Sequence, residues 1–231
     1  MGERTTITTK DGSFSAYVAR PARSPAPAVV VIQEIFGVNA VMRGVTDSLA
    51  AEGYLAICPD LFWRIEPGID ITDQSPAEWK RAFELFNAFD VDAGVKDIGA
   101  ALGHIRKDAG CNGKVGAVGF CLGGLLAFLT ATRTDADASV SYYGVGIDGR
   151  VAEAEKLTKP LLMHIAEKDQ FVPPQAQAVI LQALKNHPLI EIHTYPGCDH
   201  AFARLGGEHY DEAAAKLANG RTQAFFKKQL G

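Results

Sequence analysis

The sequence predicts an α/β protein with a mostly parallel central sheet, an antiparallel N-terminal hairpin and helices on both faces of the sheet. Short continuous apolar runs, typical of strands buried on both faces, alternate with longer stretches of helical periodicity. An alternating segment near the N-terminus contains a turn signal. The 231 residues are 47% hydrophobic and 22% charged, which is an ordinary globular composition.

The first elements along the chain are a hairpin, a buried strand, a helix and a second buried strand. Residues 5–9 and 13–20 flank the turn pair Asp11-Gly12, which predicts two antiparallel strands. The run AVVVI at 28–32 predicts a strand buried on both faces. A helical pattern over 41–52 ends at Gly53, and residues 54–58 predict the next strand, which ends at Pro59.

The rest of the chain continues the same alternation after a loop over 61–75. A long helical pattern covers 76–107, with a break or close packing expected near Gly94. Further strands are predicted at 114–120, 139–143, 160–166 and 191–195, and further helices at 122–132, 174–186 and 209–229. Ligands usually bind at the carboxyl ends of strands in such sheets, so the loops there are the candidate site.

The composition argues against nucleic acid and membranes as binding partners. Lys and Arg number 23 against 27 Asp and Glu, a formal net charge of −4 without any block of like charge, so neither nucleic acid nor an anionic membrane is expected. The longest apolar stretch, residues 120–131, is too short to span a bilayer. The N-terminus shows no signal-peptide core. We expect one domain over residues 1–231.

The cysteines favour a reducing compartment and argue against a metal. They lie far apart and lack CxxC spacing, so reduced thiols in a cytoplasmic protein are the expectation. No second pair of ligands stands near Cys198 and His200, and neither a metal nor a cofactor is expected. The four cysteines are Cys58, Cys111, Cys121 and Cys198.

The segment GFCLGG at 119–124 carries the most specific chemistry. It lies between a predicted buried strand and a predicted helix, and it is the G-x-S-x-G nucleophile pattern with Cys121 in place of serine. Its glycines permit a sharp turn that exposes the central side chain. The helix behind Cys121 directs its positive end at the sulfur and favours a thiolate. Alone, the pattern also fits a buried structural cysteine.

Two further strand ends carry the residues that such a nucleophile needs. Asp169 follows the strand at 160–166, and His200 follows the strand at 191–195. The chain order Cys121, Asp169, His200 is the nucleophile, acid and base order of the α/β-hydrolase fold. His200 would take the thiol proton and return it to the leaving group, while Asp169 orients the imidazole. Backbone N–H groups of Leu122 and Ile35 are the expected oxyanion-hole donors.

One carboxylate stands close to the expected oxyanion loop. Glu34 directly follows the strand at 28–32. It is either a solvated loop carboxylate or a group that needs a partner or a proton to exchange. Arg204, four residues after His200, is the obvious nearby cation.

Several segments in combination resemble the dienelactone hydrolase family: VVVIQEIFGVN, ICPDLF, FNAFD, KVGAVGFCLGG, SYYGVGI, DQFVP, and DHAFAR with KLANGRT. The resemblance implies a cytosolic hydrolase that opens the lactone ring of dienelactone to give maleylacetate during chloroaromatic degradation. It assigns Cys121, Asp169 and His200 to the triad. It also implies that Glu34 holds the resting thiol neutral and takes its proton on substrate binding, while Arg204 engages the substrate carboxylate.

The substrate pocket departs from the pattern of the family. Counting back from FNAFD, the positions of a second arginine, a tyrosine and a tryptophan fall here on Trp79, Phe83 and Phe86. Arg81 is near but should point elsewhere, and Ala201 replaces a serine. Phe36 is either core or pocket. The pocket is therefore expected to be more apolar, with one clamp for a carboxylate rather than two.

The leading interpretation is a cofactor-free hydrolase of a small lactone or ester, acting as a monomer or weak homodimer. One alternative is a broader esterase or thioesterase for small esters, consistent with the phenylalanines in place of polar pocket residues. A remote alternative is a small-molecule sensor that keeps the fold without turnover. The intact triad argues against this last hypothesis.

Overall fold

The computed structural model describes residues 2–231. Eight strands form a sheet in the order β1-β2-β4-β3-β5-β6-β7-β8. An antiparallel hairpin begins the sheet, and the pairs β3–β4, β6–β7 and β7–β8 are parallel. The predicted fold class is therefore confirmed. The chain falls into two compact units, one ending at Ala117 and the other beginning at Val118, and its organisation as a single domain stays a prediction.

The first unit contains the hairpin and two strands that pair beside it. Thr9 pairs with Gly12 at the turn end of the hairpin, as the Asp11-Gly12 signal predicts. Strand β2 is antiparallel to β4, and β4 is parallel to β3. Every residue of β4 is buried, as its continuous apolar run predicts. The strands are β1 Glu3–Thr9, β2 Gly12–Ala19, β3 Ala26–Ile32 and β4 Leu55–Pro59, and helix α1 spans Ala40–Ala51.

The long helical pattern is two helices, α2 Pro76–Ala88 and α3 Val91–Arg106. The break lies at residues 89–90, before Gly94, because the side chain of Asp90 caps α3 by accepting a hydrogen bond from Ala93 N–H at 2.9 Å. The close packing expected at Gly94 is present. A Cβ atom there would lie 2.4 Å from the ring of Phe89.

The second unit continues the strand and helix alternation. Strand β5 crosses the division between the units, and β6, β7 and β8 pair in parallel. A 3₁₀ helix at Asp148–Lys156 was not predicted, because its sequence shows no apolar periodicity. The elements are β5 Cys111–Phe120, α4 Leu122–Arg133, β6 Ala138–Tyr142, β7 Leu161–Ala166, α5 Pro174–Leu184, β8 Ile190–Tyr195 and α6 Glu212–Leu230.

Strand ends in the second unit position the candidate site. Strand β5 ends directly before Cys121, β7 ends three residues before Asp169, and β8 ends five residues before His200. Helix α4 is buried over Leu122–Thr132, which anchors the turn at Cys121. Among residues 2–231, no helix is both long and apolar enough to cross a membrane.

Candidate active site

Cys121 lies on a sharp turn between β5 and α4. Its backbone has φ 57° and ψ −116°, a left-handed conformation that is unusual for a residue with a side chain. The turn is held on both sides, because Cys121 N–H donates to the carbonyl of Tyr142 at 3.1 Å and Cys121 C=O accepts from Gly124 N–H at 2.9 Å. The side chain is mostly buried, at 8% exposure. This is the strained geometry that the GFCLGG motif predicts.

Two glycines of the motif are required by close backbone contacts. A Cβ atom at Gly119 would lie 1.9 Å from the carbonyl oxygen of Gly123, and one at Gly124 would lie 2.4 Å from that of Tyr142. Both contacts are with backbone atoms, which cannot rotate away. The motif therefore fixes strand, turn and helix against each other and leaves little freedom in the position of Cys121.

Asp169 is buried and uses its two carboxylate oxygens differently. Oδ1 accepts hydrogen bonds from Phe171 N–H at 2.8 Å and Val172 N–H at 3.1 Å. Oδ2 lies 2.8 Å from Nδ1 of His200. The side-chain amide of Gln177 on α5 donates to the carbonyls of Ala166 and Val172 and so ties down the loop that carries Asp169. The carboxylate is thus rigidly held at the Nδ1 edge of the imidazole.

His200 is buried and oriented by Asp169. Burial lowers the pKa of His200, but a thiolate form of the nearby Cys121 and the hydrogen bond to Asp169 outweigh burial and raise this pKa to about 10. Across residues 2–231 no group makes a well-formed hydrogen bond with the opposite ring nitrogen, Nε2. That nitrogen is therefore available to exchange a proton with the sulfur.

Two aromatic rings enclose the imidazole, and sequence reasoning did not assign either of them to the site. The ring of Phe171 meets that of His200 edge-on with centroids 4.8 Å apart, and the ring of Tyr143 does so at 5.2 Å. Phe171 is 36% exposed and Tyr143 is buried. Tyr143 has φ 37°, a strained value at a strand end. Its place at the end of the predicted strand 139–143, within the segment SYYGVGI, was the signal for it.

Ala201 and Arg204 follow His200 in the same loop. Ala201 has φ 62°, and its carbonyl accepts a hydrogen bond from Arg204 N–H at 2.9 Å. Arg204 is 7% exposed, which is unusual for arginine. Both residues therefore lie in the tight turn that carries the imidazole, as their spacing from His200 predicts.

The predicted oxyanion loop lies in the first unit, directly after β3. Glu34, Ile35 and Phe36 are all buried. Gln33 fixes the start of this loop, because its Oε1 accepts from Leu61 N–H at 3.0 Å. Gly37 has φ 77°, and a Cβ atom there would lie 2.0 Å from the carbonyl oxygen of Ile69. The loop is therefore pinned at both ends, and Phe36 is a buried rather than an open residue.

The predicted pocket residues of α2 form part of an aromatic row in the first unit. Phe36 meets Trp79 edge-on at 5.2 Å, and Trp79 stacks on Phe83 at 5.6 Å. Phe83 is 40% exposed, whereas Phe86 is half-buried. Arg81 forms ion pairs with Glu66 and Glu84 on the surface of the helix, so its charge already has two carboxylate partners. We name Phe36, Trp79 and Phe83 the aromatic row.

Chemically, the second unit offers a thiol, an oriented imidazole and a buried carboxylate close together. A thiol needs a base or a positive field to attack a carbonyl carbon at neutral pH, and His200 can supply either. In the described part of the chain, no group of three or more His, Cys, Asp or Glu side chains could hold a metal ion. The arrangement is suited to acyl transfer with water as the final acceptor.

Comparisons with known proteins place the chain in a family. The sequence model of the dienelactone hydrolase family matches residues 14–230. A protein of Azospirillum brasilense is 58% identical over 223 residues, 96% of each chain. A carboxymethylenebutenolidase of Pseudomonas putida is 42% identical over 226 residues, 97% of this chain and 96% of the relative.

A solved structure with a similar fold supports these sequence matches. The crystal structure of a Klebsiella pneumoniae protein, 30% identical, superposes with a TM-score of 0.86 and covers 99% of this chain and 98% of that chain. Family match, close relatives and fold all agree with the resemblance that the motifs predict. The chain belongs to the dienelactone hydrolase family and is a hydrolase that acts on esters or lactones.

Proposed function

We propose that this protein opens the lactone ring of dienelactone to give maleylacetate, through an acyl intermediate on Cys121. The single observation that carries the mechanism is the Asp169–His200 pair at 2.8 Å. Asp169 and the nearby sulfur of Cys121 together raise the pKa of His200 to about 10 against the effect of burial. The carboxymethylenebutenolidase name of the Pseudomonas putida relative supports the substrate.

In the first half of the reaction the thiol attacks the lactone. The proton leaves Sγ of Cys121 for Nε2 of His200, and the sulfur bonds to the carbonyl carbon. The tetrahedral intermediate then collapses, and the bond between that carbon and the ring oxygen breaks. The ring oxygen takes the proton from His200 and remains part of the same molecule, which is now held as a thioester.

In the second half water releases the product. His200 takes a proton from water, which attacks the thioester carbon, and the bond between carbon and sulfur breaks. The proton returns to the sulfur, and the new carboxyl group leaves with the product. Together the two halves of the reaction consume one lactone and one water and restore the free thiol, so the reaction needs no cofactor.

Two backbone N–H groups are the proposed donors to the oxyanion. Leu122 is the first residue of α4, where an N–H has no acceptor within the helix and carries the positive end of the helix dipole. Ile35 lies in the loop that is pinned after β3. Donors that are fixed before the reaction stabilise charge without reorganisation.

We further propose that Arg204 binds the carboxylate of the substrate and that, in a gated form of the reaction, Glu34 in place of His200 takes the thiol proton when the substrate arrives. His200 then starts protonated and still gives its proton to the ring oxygen. Both side chains are almost fully buried, so each charge must be matched by another group when it forms. A resting thiol that is activated only by substrate would be protected from oxidation.

The four free cysteines support a reducing, cytoplasmic location, and we propose a monomer or weak homodimer.

The test is turnover and alkylation of Cys121. Cys121→Ala should abolish hydrolysis of cis- and trans-dienelactone, and Cys121→Ser should reduce it by at least about 100-fold because an alcohol is a much weaker acid than a thiol. Iodoacetamide should label Cys121 slowly until a substrate analogue that bears a carboxylate is added. Full activity of Cys121→Ala would end the proposal, and fast labelling without the analogue would end the gated form of it.

A second candidate is a broader esterase or thioesterase, and the aromatic row favours it. Trp79 and Phe83 supply apolar area, with Phe83 exposed, and flat apolar acyl or aryl groups pack well on such rings. Rates on dienelactone and on p-nitrophenyl acetate, measured side by side, separate the two candidates. For a small-ester enzyme, Phe83→Ala should raise KM for the aryl ester several-fold, and Phe225→Ala on α6 provides a control for the loss of a ring.

A further inference from the structure

A continuous chain of hydrogen bonds, buried at its centre and reaching the surface at its ends, joins three strands to the last helix of the second unit. Tyr195 OH lies 2.8 Å from Nδ1 of His164, and Nε2 of His164 lies 3.0 Å from Oγ1 of Thr222. That hydroxyl lies 2.6 Å from Tyr142 OH. The ends of the chain are Arg221, 3.1 Å from Tyr195 OH, and Asn219, 2.9 Å from Tyr142 OH. We name these six residues the polar chain.

The donors and acceptors fix one direction for every proton in the polar chain. Oδ1 of Asn219 can only accept, which sets the direction for Tyr142 and then for Thr222. The oxygen of Tyr195 accepts from Arg221, and Nδ1 of a neutral His164 accepts the hydroxyl proton of Tyr195. The ring proton of His164 is then on Nε2, which donates to Thr222. Thr222 donates to Tyr142, and Tyr142 donates to Oδ1 of Asn219. No member is left unsatisfied in this arrangement.

The direction requires a neutral His164. Burial lowers the pKa of His164 well below its usual value, and the positive charges of His193 and Arg221 lower it further. His193, which stacks beside His164 at 6.1 Å, is itself paired with Glu191. A neutral imidazole has one donor and one acceptor, which is what the polar chain uses.

The same residues hold the main chain around the candidate active site. The carbonyl of Tyr142 accepts from Cys121 N–H at 3.1 Å, and the carbonyl of His164 accepts from Tyr143 N–H at 2.8 Å. The ring of Tyr143 packs on His200. The carbonyl of Tyr195 accepts from Glu167 N–H at 3.2 Å, in the loop before Asp169. The side chains of the polar chain therefore fix backbone groups next to each member of the triad.

We propose that Thr222, with His164 and Tyr195, is a positioning residue that uses α6 to set the distance and angle between Cys121 and His200. The proposal rests on the proposed function of these two residues. Thr222 is the central link, because its hydroxyl is the only group that joins His164 to Tyr142 among the hydrogen bonds described. Its removal frees the side chains of Tyr142 and His164 from their common anchor on α6, and displacements of about 1 Å in a catalytic site can cost about 100-fold in rate.

The test replaces the hydroxyl of Thr222 by a methyl group. Thr222→Val should lower kcat about 10- to 100-fold with KM changed less than about threefold. The pH profile for alkylation of Cys121, measured by mass spectrometry of that peptide, should shift toward that of an ordinary cysteine. Thr222→Ser restores the hydroxyl and should restore both readouts. Thr132→Val is the matched control, since it removes a buried hydroxyl that bonds only within α4 to Leu129 C=O.

A purely structural role would lower the melting temperature of Thr222→Val and leave kcat and the alkylation profile of the folded fraction unchanged, which would overturn the proposal. Should Thr222→Val be insoluble, Tyr195→Phe removes one link and decides by the same readouts. The ¹⁵N shifts of His164 should report an Nε2–H tautomer in the wild type, and the Nδ1–H tautomer would contradict the polar chain. Absence of turnover in the wild type would defeat the proposed function, while alkylation would still test the positioning.

Discussion

Asp169 divides its two oxygens between the backbone and the imidazole. Oδ1 accepts two N–H groups of its own loop, and Oδ2 faces Nδ1 of His200. The first pair of bonds holds the carboxylate still, so that the second can select the tautomer with the proton on Nδ1. Nε2 is then the basic nitrogen. The role of the residue depends on being negatively charged and immobile at the same time.

Asp169→Asn should lower kcat by about 10³- to 10⁴-fold. The amide keeps the shape, but when its NH₂ group faces the ring, Nδ1 becomes an acceptor and Nε2 carries the proton. The pKa of His200 should also fall, because the hydrogen bond to Asp169 that helps to raise it is lost. Steady-state kinetics on dienelactone or an aryl ester, with NMR titration of His200, measures both effects.

Asp199→Asn is the matched control for this substitution. Asp199 is next to His200 and accepts its backbone N–H at 2.6 Å, together with Gln170 N–H at 3.3 Å. An asparagine oxygen can accept both bonds, so kcat should stay within about threefold of the wild type. Equal losses in the two variants would mean that the charge near the loop matters and that orientation of the ring by Asp169 does not.

At the scale of single elements, the turn between β5 and α4 is the most constrained part of the second unit. Gly124 is helical, yet a Cβ atom on it would lie 2.4 Å from the carbonyl oxygen of Tyr142 and 2.7 Å from Cα of Gly144. In contrast, Gly103 in α3 has no atom within 4 Å of the corresponding position. Alanine at these two helical glycines should therefore change the free energy of unfolding in opposite directions.

Gly124→Ala should destabilise the fold by about 1–3 kcal/mol, because backbone atoms must move to admit the methyl group. Gly103→Ala should stabilise it by about 0.5–1 kcal/mol through its higher helix propensity. Urea unfolding at neutral pH measures both free energies. Similar values for the two variants would show that the contact at Gly124 relaxes without cost.

The elements also show what sequence patterns can and cannot predict. Each buried strand was predicted to within a few residues, since continuous apolar runs bounded by glycine or proline have few other interpretations. Glycine alone predicted a break or close packing near Gly94, but the break itself lies at residues 89–90, because the capping side chain of Asp90 sets the start of α3. Gly94 instead makes room for the ring of Phe89.

At the scale of the whole molecule, the candidate triad was predictable because each member follows a strand end in a known order. The polar chain was not predictable, because His164 and Thr222 are 58 residues apart and no strand-end rule joins them. The sequence marks His164 only as a residue of the predicted strand at 160–166. In the structure His164 is completely buried among hydroxyl groups. The KLANGRT segment of α6 supplies three of the six residues of the polar chain.

A buried neutral histidine ties the stability of the whole molecule to pH. In the folded state the pKa of His164 lies well below its usual value because of burial, whereas in the unfolded chain it is close to 6.5. Below pH 6.5 the unfolded state therefore binds one proton more than the folded state. The free energy of unfolding should fall as the pH is lowered from 6.5, by up to about 1.4 kcal/mol per pH unit from this group.

Urea unfolding between pH 7.5 and 5 should reveal this dependence, and His164→Gln should flatten it. Glutamine can donate to Thr222 and accept from Tyr195 but does not titrate. The lower free energy of unfolding of this variant and the weaker dependence of that free energy on pH are therefore separate observables. The wild-type slope, measured in the same series, is the reference. If His164→Gln kept that slope, His164 would be protonated inside the fold, and the single direction of the polar chain would have to be abandoned.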